Sequence, residues 1–249
     1  MSIFVIPLAG LSSRFFKVGY TKPKYQLDVL GQSMFSWSVS SFSRYFTTDT
    51  FVFVCRNVYE TPSFIEHEVK NLGILNYSIV CLNSETKGQA ETVYKGLNSF
   101  LSQEEETSNV LEQDIYIFNI DSKIIDFIKP DFVNGSCDGY LEVFEEEGEH
   151  WSFVLPGKEN QVLRTTEKER ISDYCSDGLY YFKSVKSYLK LFERNLKAQN
   201  FVNNEIYIAP MYNDLIANGG NVRYDLVKRD KVIICGTPKE YLELLGENK

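Results

Sequence analysis

Arg14 closes a run of small and apolar residues, Pro7-Leu8-Ala9-Gly10-Leu11-Ser12-Ser13, and Lys24 follows ten residues later, directly behind Pro23. A loop of Ala, Gly and Ser lets backbone N–H groups approach phosphate oxygens, and a planar guanidinium adds a fixed positive charge. Proline stiffens the chain just before Lys24, so that ammonium has less freedom than an ordinary surface lysine. Together the two cations suit a triphosphate, although either segment alone is equally at home in a solvated turn. Histidine chemistry is poorly supplied: His67 and His150 are the only two in the chain. Multi-histidine zinc sites and most histidine-based nucleophiles are therefore disfavoured. The five cysteines (Cys55, Cys81, Cys137, Cys175, Cys235) lie far apart with no C-x-x-C, which fits reduced and mostly buried thiols.

The elements that must hold these residues can be read from periodicity. Ile3–Leu8 is an apolar run that breaks into the small-residue loop, and it reads as a buried strand entering a turn. Residues 51–55, 77–82 and 114–121 read as further strands, the last ending on the carboxylate of Asp121. Ser33–Tyr45, Ser63–Leu72 and Gln89–Leu101 read as helices, with Ala90, Val93, Leu97 and Leu101 on one face of the third. Residues 103–113 are acidic and polar and read as a solvated loop. Beyond 121 the strands shorten: Gly139–Phe144, Trp151–Leu155, Val162–Thr166 and Gly178–Phe182, with hairpin connections expected at 145–150 and 157–160. Val185–Lys197 and Glu205–Ala217 read as helices, Val222–Val227 and Val232–Cys235 as strands, and Pro238–Leu245 as a closing helix with proline in its first turn. Strands alternating with helices over the first half imply an α/β fold with a mostly parallel sheet and helices on both faces. The expected organisation is one domain over 1–249, with a nucleotide-binding half at 1–122 and a β-richer half at 123–249.

Composition sets the outer bounds. The chain has 249 residues, 26 Lys+Arg against 34 Asp+Glu and a formal charge of −8. With 43% hydrophobic and 24% charged residues it is globular rather than disordered. The acidic balance disfavours a non-specific nucleic-acid binder but leaves room for a small phosphorylated ligand, which needs only two or three local cations. No apolar run reaches the roughly 18 residues of a membrane span, and no membrane partner is expected. The start MSIFVIPLAGLSSRF has no basic leader and reaches Arg14 early, so the expected location is cytoplasmic.

Leu8-Ala9-Gly10-Leu11-Ser12-Ser13-Arg14 followed by Pro23-Lys24-Tyr25-Gln26-Leu27 resembles the signature of the sugar-phosphate nucleotidyltransferases, the nucleoside-diphosphate-sugar pyrophosphorylases. Their form is L-A-A-G-x-G-T-R, then P-K-x-L; here Ser12-Ser13 stands in place of Gly-Thr. Further segments arrive in the family's order. Residues 86–96, TKGQAETVYKG, resemble the segment that meets the nucleobase, with Gly88 permitting close approach of a ring and the Gln89 amide serving a base edge. Residues 118–121, FNID, resemble the strand end that holds the metal. Glu167-Lys168 resembles the E-K pair that contacts the acceptor and its phosphate. Residues 176–182, SDGLYYF, resemble the strand whose glycine (Gly178 here) makes room for the acceptor. Glu205 opens a segment similar to a later helix start, and residues 236–244 resemble the closing G-T-P-E-D-L. The resemblance spans about residues 3 to 245. One position departs: Ile234 stands where many members place a second metal-binding aspartate.

The resemblance implies a Rossmann-like nucleotidyltransferase fold and a reaction in which an NTP and a phosphorylated acceptor, a sugar 1-phosphate foremost, give a diphosphate-linked product and pyrophosphate. It implies magnesium on Asp121, Arg14 and Lys24 on the triphosphate, and Lys168 on the acceptor phosphate. Leu8, Ala9, Gly10, Ser12, Ser13, Gly88 and Gln89 complete the nucleotide site, and Glu167, Gly178 and Glu205 the acceptor site. Capsule or other surface-polysaccharide biosynthesis is the expected setting. The acceptor nucleophile is an ionised phosphate oxygen that needs no protein base, which agrees with the scarcity of histidine. Trp151, Tyr140 and Tyr181 are candidate acceptor-pocket aromatics, which suit sugar faces and also quaternary ammonium groups. Two alternatives are a cytidylyltransferase for a non-sugar acceptor such as phosphocholine, and a nucleotide-binding regulator without turnover. A glycosyltransferase is disfavoured because residues 118–123 hold one aspartate rather than a D-x-D pair. A dinucleotide oxidoreductase is disfavoured because the second strand ends in Cys55-Arg56.

Overall fold

The structure, a computed structural model, describes residues 1–135 and 137–247. Its strands are β1 (Ile3–Pro7), β2 (Asp28–Val29), β3 (Gln32–Ser33), β4 (Thr50–Arg56), β5 (Asn76–Leu82), β6 (Ile115–Phe118), β7 (Ser122–Ile124), β8 (Gly139–Glu145), β9 (Ser152–Pro156), β10 (Val162–Glu167), β11 (Tyr174–Phe182), β12 (Val222–Leu226) and β13 (Val232–Ile234). Its α-helices are α1 (Ser13–Lys17), α2 (Met34–Val39), α3 (Thr61–Leu72), α4 (Gln89–Leu101), α5 (Thr107–Leu111), α6 (Val185–Lys197), α7 (Ile208–Ala217) and α8 (Pro238–Leu244).

A nine-stranded sheet carries the fold, with β5, β4, β1 and β6 side by side and parallel. β11 joins β6 antiparallel, β8 and β12 continue beyond it, and β9–β10 branch from the first half of β11. The apolar runs of β1, β4 and β6 are buried on both faces, as a helix-covered parallel sheet requires. Side chains alternate between faces along each strand. Val5, Val52, Val54 and Ile117 therefore pack with Val93 and Leu97 of α4 and Leu191 of α6, while Phe4, Phe51, Phe53 and Phe118 pack with Phe35 of α2 and Ile65 of α3. Gly96 lets α4 lie directly on Val54, where a side chain would collide with the valine.

The carboxyl ends of β1, β4, β5 and β6 share one edge, and two small elements close over it. β7 and β13 form a separate antiparallel pair, with Ile234 opposite Ser122. A satellite core of Phe15, Leu27, Met34, Trp37, Cys235 and Tyr241 ties α1, the β2–β3 hairpin, α2 and α8 together. The Tyr241 hydroxyl donates to Asp28 O at 2.6 Å, fixing α8 against that hairpin.

Several element expectations need correction. The connection at 145–150 is not a hairpin: β8 runs between β11 and β12, buried on both faces, while β9 pairs with β10 and β11. The 157–160 connection does form one. The helix expected from Glu205 starts at Ile208, because Pro210 would clash with the carbonyl four residues earlier if the helix ran further back. The helix expected over 33–45 is α only to Val39 and then 3-10, and residues 107–111 of the acidic loop are helical. All five cysteines are free thiols and four are buried; Cys81 is exposed, with its sulfur 3.8 Å from that of Cys55. Among the described residues, no helix is long and apolar enough to cross a membrane.

Candidate active site

The loop after β1 begins by anchoring to the neighbouring strand, where Leu8 N–H donates to Val54 O at 2.7 Å. Ser12 then adopts φ 51°, ψ 26°, the left-handed conformation that glycine accommodates without strain. This is where the resembled signature carries glycine, so the serine keeps the turn at a conformational cost. Its Oγ offsets part of that cost by accepting from Lys24 N–H at 3.1 Å, which joins the two basic segments. Burial of Phe15 in the satellite core orients the short helix α1, and Arg14 beside it stays exposed. Arg14, Lys24, Gln89, Asn119 and Asp121 all face one cavity of about 340 Å³, whose rim includes Leu8, Gly10, Ser12 and Ser13.

Asp121 and Lys24 meet although 97 residues separate them, because β1 and β6 are neighbours and both segments leave the same sheet edge. Lys24 Nζ lies 2.5 Å from Asp121 Oδ2. Burial alone would raise the Asp121 carboxyl, but the Lys24 ammonium and its hydrogen bond, helped by Arg14, hold it below the usual aspartate value. Cys235 N–H donates to Asp121 O at 2.7 Å, and Gly236 sits so close that a Cβ there would lie 3.0 Å from Asp121 Oδ2. The closing Gly236-Thr237 segment thus forms a wall of the carboxylate's pocket, held by the capping box of α8.

A second cavity of about 190 Å³ adjoins the first, sharing Arg14, Gln89, Asn119, Asp121 and Gly236. Trp151, Glu167, Asp177, Gly178, Tyr180 and Tyr207 line its far side. Gly178 is needed there: at φ 97° its Cβ would come within 2.6 Å of Asn119 Nδ2. Asn119 also accepts through Oδ1 from Gln89 Nε2, bridging the two cavities. Glu167 Oε2 accepts from Ser152 Oγ at 2.5 Å, and burial pushes its carboxyl up in spite of that bond and Lys168. Lys168 donates to the Tyr207 hydroxyl at 2.7 Å and lies 3.7 Å from Glu167. Burial tends to lower the Lys168 ammonium, but Tyr207, Glu167 and Glu205 outweigh it and hold it above the ordinary lysine value.

Most residues singled out from the sequence converge on this cleft, and a few stand aside: Lys168 lines neither cavity itself and meets the second only through Tyr207 and Glu167. Ala9 faces an adjoining groove rather than the main cavity. Gly88, at φ 101°, packs against Glu205 and Ile206 and positions Gln89 at the first residue of α4. Glu205 accordingly supports Gly88 rather than lining either cavity. Trp151 does line the second cavity, whereas Tyr140 and Tyr181 are core residues. His150 packs on Trp151 at the cavity rim, and His67 lies on α3, bonded to Asn71. Ile234 lines the second cavity, so the departing position does lie at the cleft. Asn119, Asp177 and Tyr207 were not singled out. Asn119 was legible as the polar residue two before Asp121; the others carry no local signal.

Among the described residues no three His, Cys, Asp or Glu side chains gather as a metal cage. A lone carboxylate with one oxygen held by Lys24 still fits magnesium, which keeps several waters and is commonly held by one or two carboxylates plus substrate phosphates.

No protein-family model matches the chain, and no curated protein matches it in sequence. Among solved structures it is similar to the nucleoside-diphosphate-sugar pyrophosphorylase of Vibrio cholerae RC9, at 44% identity over 98% of this chain and 99% of that one, with a TM-score of 0.89. The fold also matches the inositol-1-phosphate CTP transferase of T. maritima, at TM-score 0.72, 16% identity and coverage of 99% and 96%. A UDP-glucose pyrophosphorylase complexed with UDP-glucose matches at TM-score 0.72, 15% identity and coverage of 99% and 97%. With two basic segments and a strand-end carboxylate gathered at the carboxyl edge of the parallel sheet, and 44% identity maintained along the whole chain, the protein belongs to the nucleoside-diphosphate-sugar pyrophosphorylase family of sugar-phosphate nucleotidyltransferases.

Proposed function

We propose that the protein joins an NTP to a phosphorylated acceptor, a sugar 1-phosphate foremost, releasing pyrophosphate. The observation that carries this reading is the pair of adjoining cavities that meet at Arg14, Gln89, Asn119 and Asp121. One is rimmed by the small-residue loop and Lys24, the other by aromatic and acidic side chains. An in-line reaction needs this division, with the leaving pyrophosphate and the attacking phosphate on opposite sides of the α-phosphorus. In this reading the half 1–122 supplies the nucleotide site and the half 123–249 most of the acceptor site.

Arg14 and Lys24 bind the β- and γ-phosphates and stabilise the departing pyrophosphate. The N–H groups of the loop at Gly10–Ser13 cradle phosphate oxygens, with Leu8 and Ala9 beside the nucleobase. Gln89 reads a base edge from the start of α4. Lys168, already oriented by Tyr207 and Glu167, holds the acceptor phosphate, while Gly178 leaves space for the acceptor body. Asp121 is the residue that holds magnesium, which when bound neutralises phosphate charge. The nucleophile is the acceptor's own ionised oxygen, so the protein's work is alignment and charge stabilisation rather than proton abstraction. The family resemblance supports a place in capsule or other surface-polysaccharide assembly.

The test is a screen of the four common NTPs against sugar 1-phosphates and non-sugar phosphates, read by pyrophosphate release. Release that requires both substrates is the expected result. NTP hydrolysis indifferent to every acceptor would refute the proposal.

A further inference from the structure

One hydroxyl on the second cavity has a donor and no acceptor. Tyr207 lines that cavity, immediately before the first residue of α7. Buried Ile206 and Ile208 flank it and pin its backbone. The same segment is tied to the start of α4: Ile206 N–H donates to Lys87 O at 3.3 Å, and Ile206 O accepts from Ala90 N–H at 3.4 Å. Tyr207 is thereby held beside the residues that position Gln89. Its hydroxyl oxygen accepts from Lys168 Nζ at 2.7 Å, and that ammonium lies 4.5 Å from the ring centre. The hydroxyl's own proton goes to no acceptor among the described residues. Lys168 reaches the tyrosine from a left-handed backbone, φ 57°, which a side chain makes costly. The turn takes it out of β10, which ends at Glu167, and is held by Lys168 N–H donating to Trp151 O at 2.8 Å. The ammonium therefore rests on Tyr207, and it is Tyr207 that meets the cavity.

Resting on the nucleotidyltransferase reading, we propose that the Tyr207 hydroxyl donates directly to the acceptor's phosphate, with the Lys168 ammonium behind it as its paired cation. An ammonium that donates to a hydroxyl oxygen polarises the O–H bond and strengthens it as a donor. An anionic oxygen gains from both the proton and the nearby charge, whereas a neutral hydroxyl of the acceptor would use the proton alone. Burial pushes the Tyr207 hydroxyl up although Lys168 works against it, so it keeps its proton at neutral pH. Glu167, 3.7 Å from the ammonium, is already engaged by Ser152 Oγ. Arg14 and Asp121 line the near side of the same cavity, so a phosphate on Tyr207 faces the place where the nucleotide's phosphates arrive. Tyr207 is then a residue that touches substrate, and Lys168 acts on the acceptor phosphate together with it.

The test uses the full chain with each substrate varied in turn. The four common NTPs are offered glucose 1-phosphate, glucosamine 1-phosphate and phosphocholine, and the pair turned over fastest carries the comparison. Radiolabelled NTP keeps slow variants measurable. Tyr207→Phe keeps the ring against Lys168 and removes only the hydroxyl. It should lower kcat/KM for the acceptor by about tenfold to a hundredfold, the loss expected for a hydrogen bond to a charged group. The kcat/KM for NTP should stay at the wild-type value, which also shows that the fold is intact. Repeating Tyr207→Phe in a Lys168→Ala background separates direct contact from mere support of the lysine. A tyrosine that donates to the phosphate still costs about tenfold there, and one that only holds Lys168 costs nothing further. Unchanged acceptor use in Tyr207→Phe, an effect that vanishes in the Lys168→Ala background, or equal losses for both substrates would overturn the inference and leave the nucleotidyltransferase reading standing. No pyrophosphate release with any acceptor would defeat that reading itself, and this inference with it.

Discussion

Replacing Lys24 by alanine removes the ammonium 2.5 Å from Asp121 Oδ2 and leaves that carboxylate facing Gly236 and the cavity wall. Deleting one partner of a fully buried pair costs about 3–5 kcal/mol, because the other charge is left uncompensated. Here the two side chains retain 21% and 23% of their exposure, so water screens part of the loss. The expected destabilisation near neutral pH is therefore below that range, about 2 kcal/mol. The pH dependence gives the sharper signature. In the native protein the Asp121 carboxyl is held below its ordinary value, so its contribution is present above the unfolded pKa and is lost as pH falls through the folded one. Without Lys24, burial is the dominant influence and the same carboxyl rises above its ordinary value. Its penalty in the variant is then relieved as pH falls through the raised value. The gap between Lys24→Ala and wild type should accordingly be largest near pH 7 and shrink markedly by about pH 4. Adding Asp121→Asn to Lys24→Ala should recover stability relative to the single variant, since the uncompensated charge is gone. Urea unfolding of the four proteins at both pH values measures this. A Lys24→Ala deficit unchanged by pH, together with strictly additive single effects, would refute the reasoning.

Arg14→Ala should mainly weaken NTP use and Lys168→Ala mainly acceptor use, so steady-state kinetics with each substrate varied should separate the two defects, each about a hundredfold or more in kcat/KM. Ser12→Ala, which keeps the left-handed backbone but loses the hydroxyl that holds Lys24 N–H, should cost about 1 kcal/mol in urea unfolding. Ser12→Gly loses the same bond but relieves the strain and should unfold close to wild type. With Ile234 in place of a second carboxylate, magnesium should bind weakly to the free protein and much better with nucleotide, as calorimetric titration would show. Ile234→Asp should strengthen binding to the free protein at some loss of stability, because the side chain is half-buried.

Much of this arrangement was legible in the chain itself, where local chemistry specifies local structure. The apolar runs at Ile3–Pro7 and Thr50–Arg56 end where the periodicity ends, and α4 and α6 occupy the residues that their apolar spacing picks out. Arg14 and Asp121 are legible because each stands beside a strand-end signal, and the sheet brings such ends to one edge; Lys24 is legible from Pro23 before it and from its spacing to Arg14. What could not be read depends on pairing at long range. β7 and β13 are three residues each and lie more than a hundred positions apart, so nothing local announces the ladder that sets Ile234 beside the cleft. Glu142 and Asp177 look like the solvent-facing residues of alternating strands. Only the insertion of β8 between β11 and β12 buries them, and the sequence pattern at 139–155 suggested a hairpin instead. The left-handed turn at Ser12 was hidden for a different reason, since serine gives no sign of a conformation that glycine would have advertised.

The central claim is that an acceptor phosphate oxygen attacks the α-phosphorus of an NTP directly, with the protein supplying position and charge. Turnover with an acceptor whose phosphate oxygens carry a heavy-oxygen label, followed by mass analysis of both products, tests it most directly. The account predicts that the diphosphate-linked product retains the entire label and that pyrophosphate carries none. Label appearing in pyrophosphate or inorganic phosphate, or an unlabelled bridge in the product, would mean that bonds break elsewhere and would contradict the assignment.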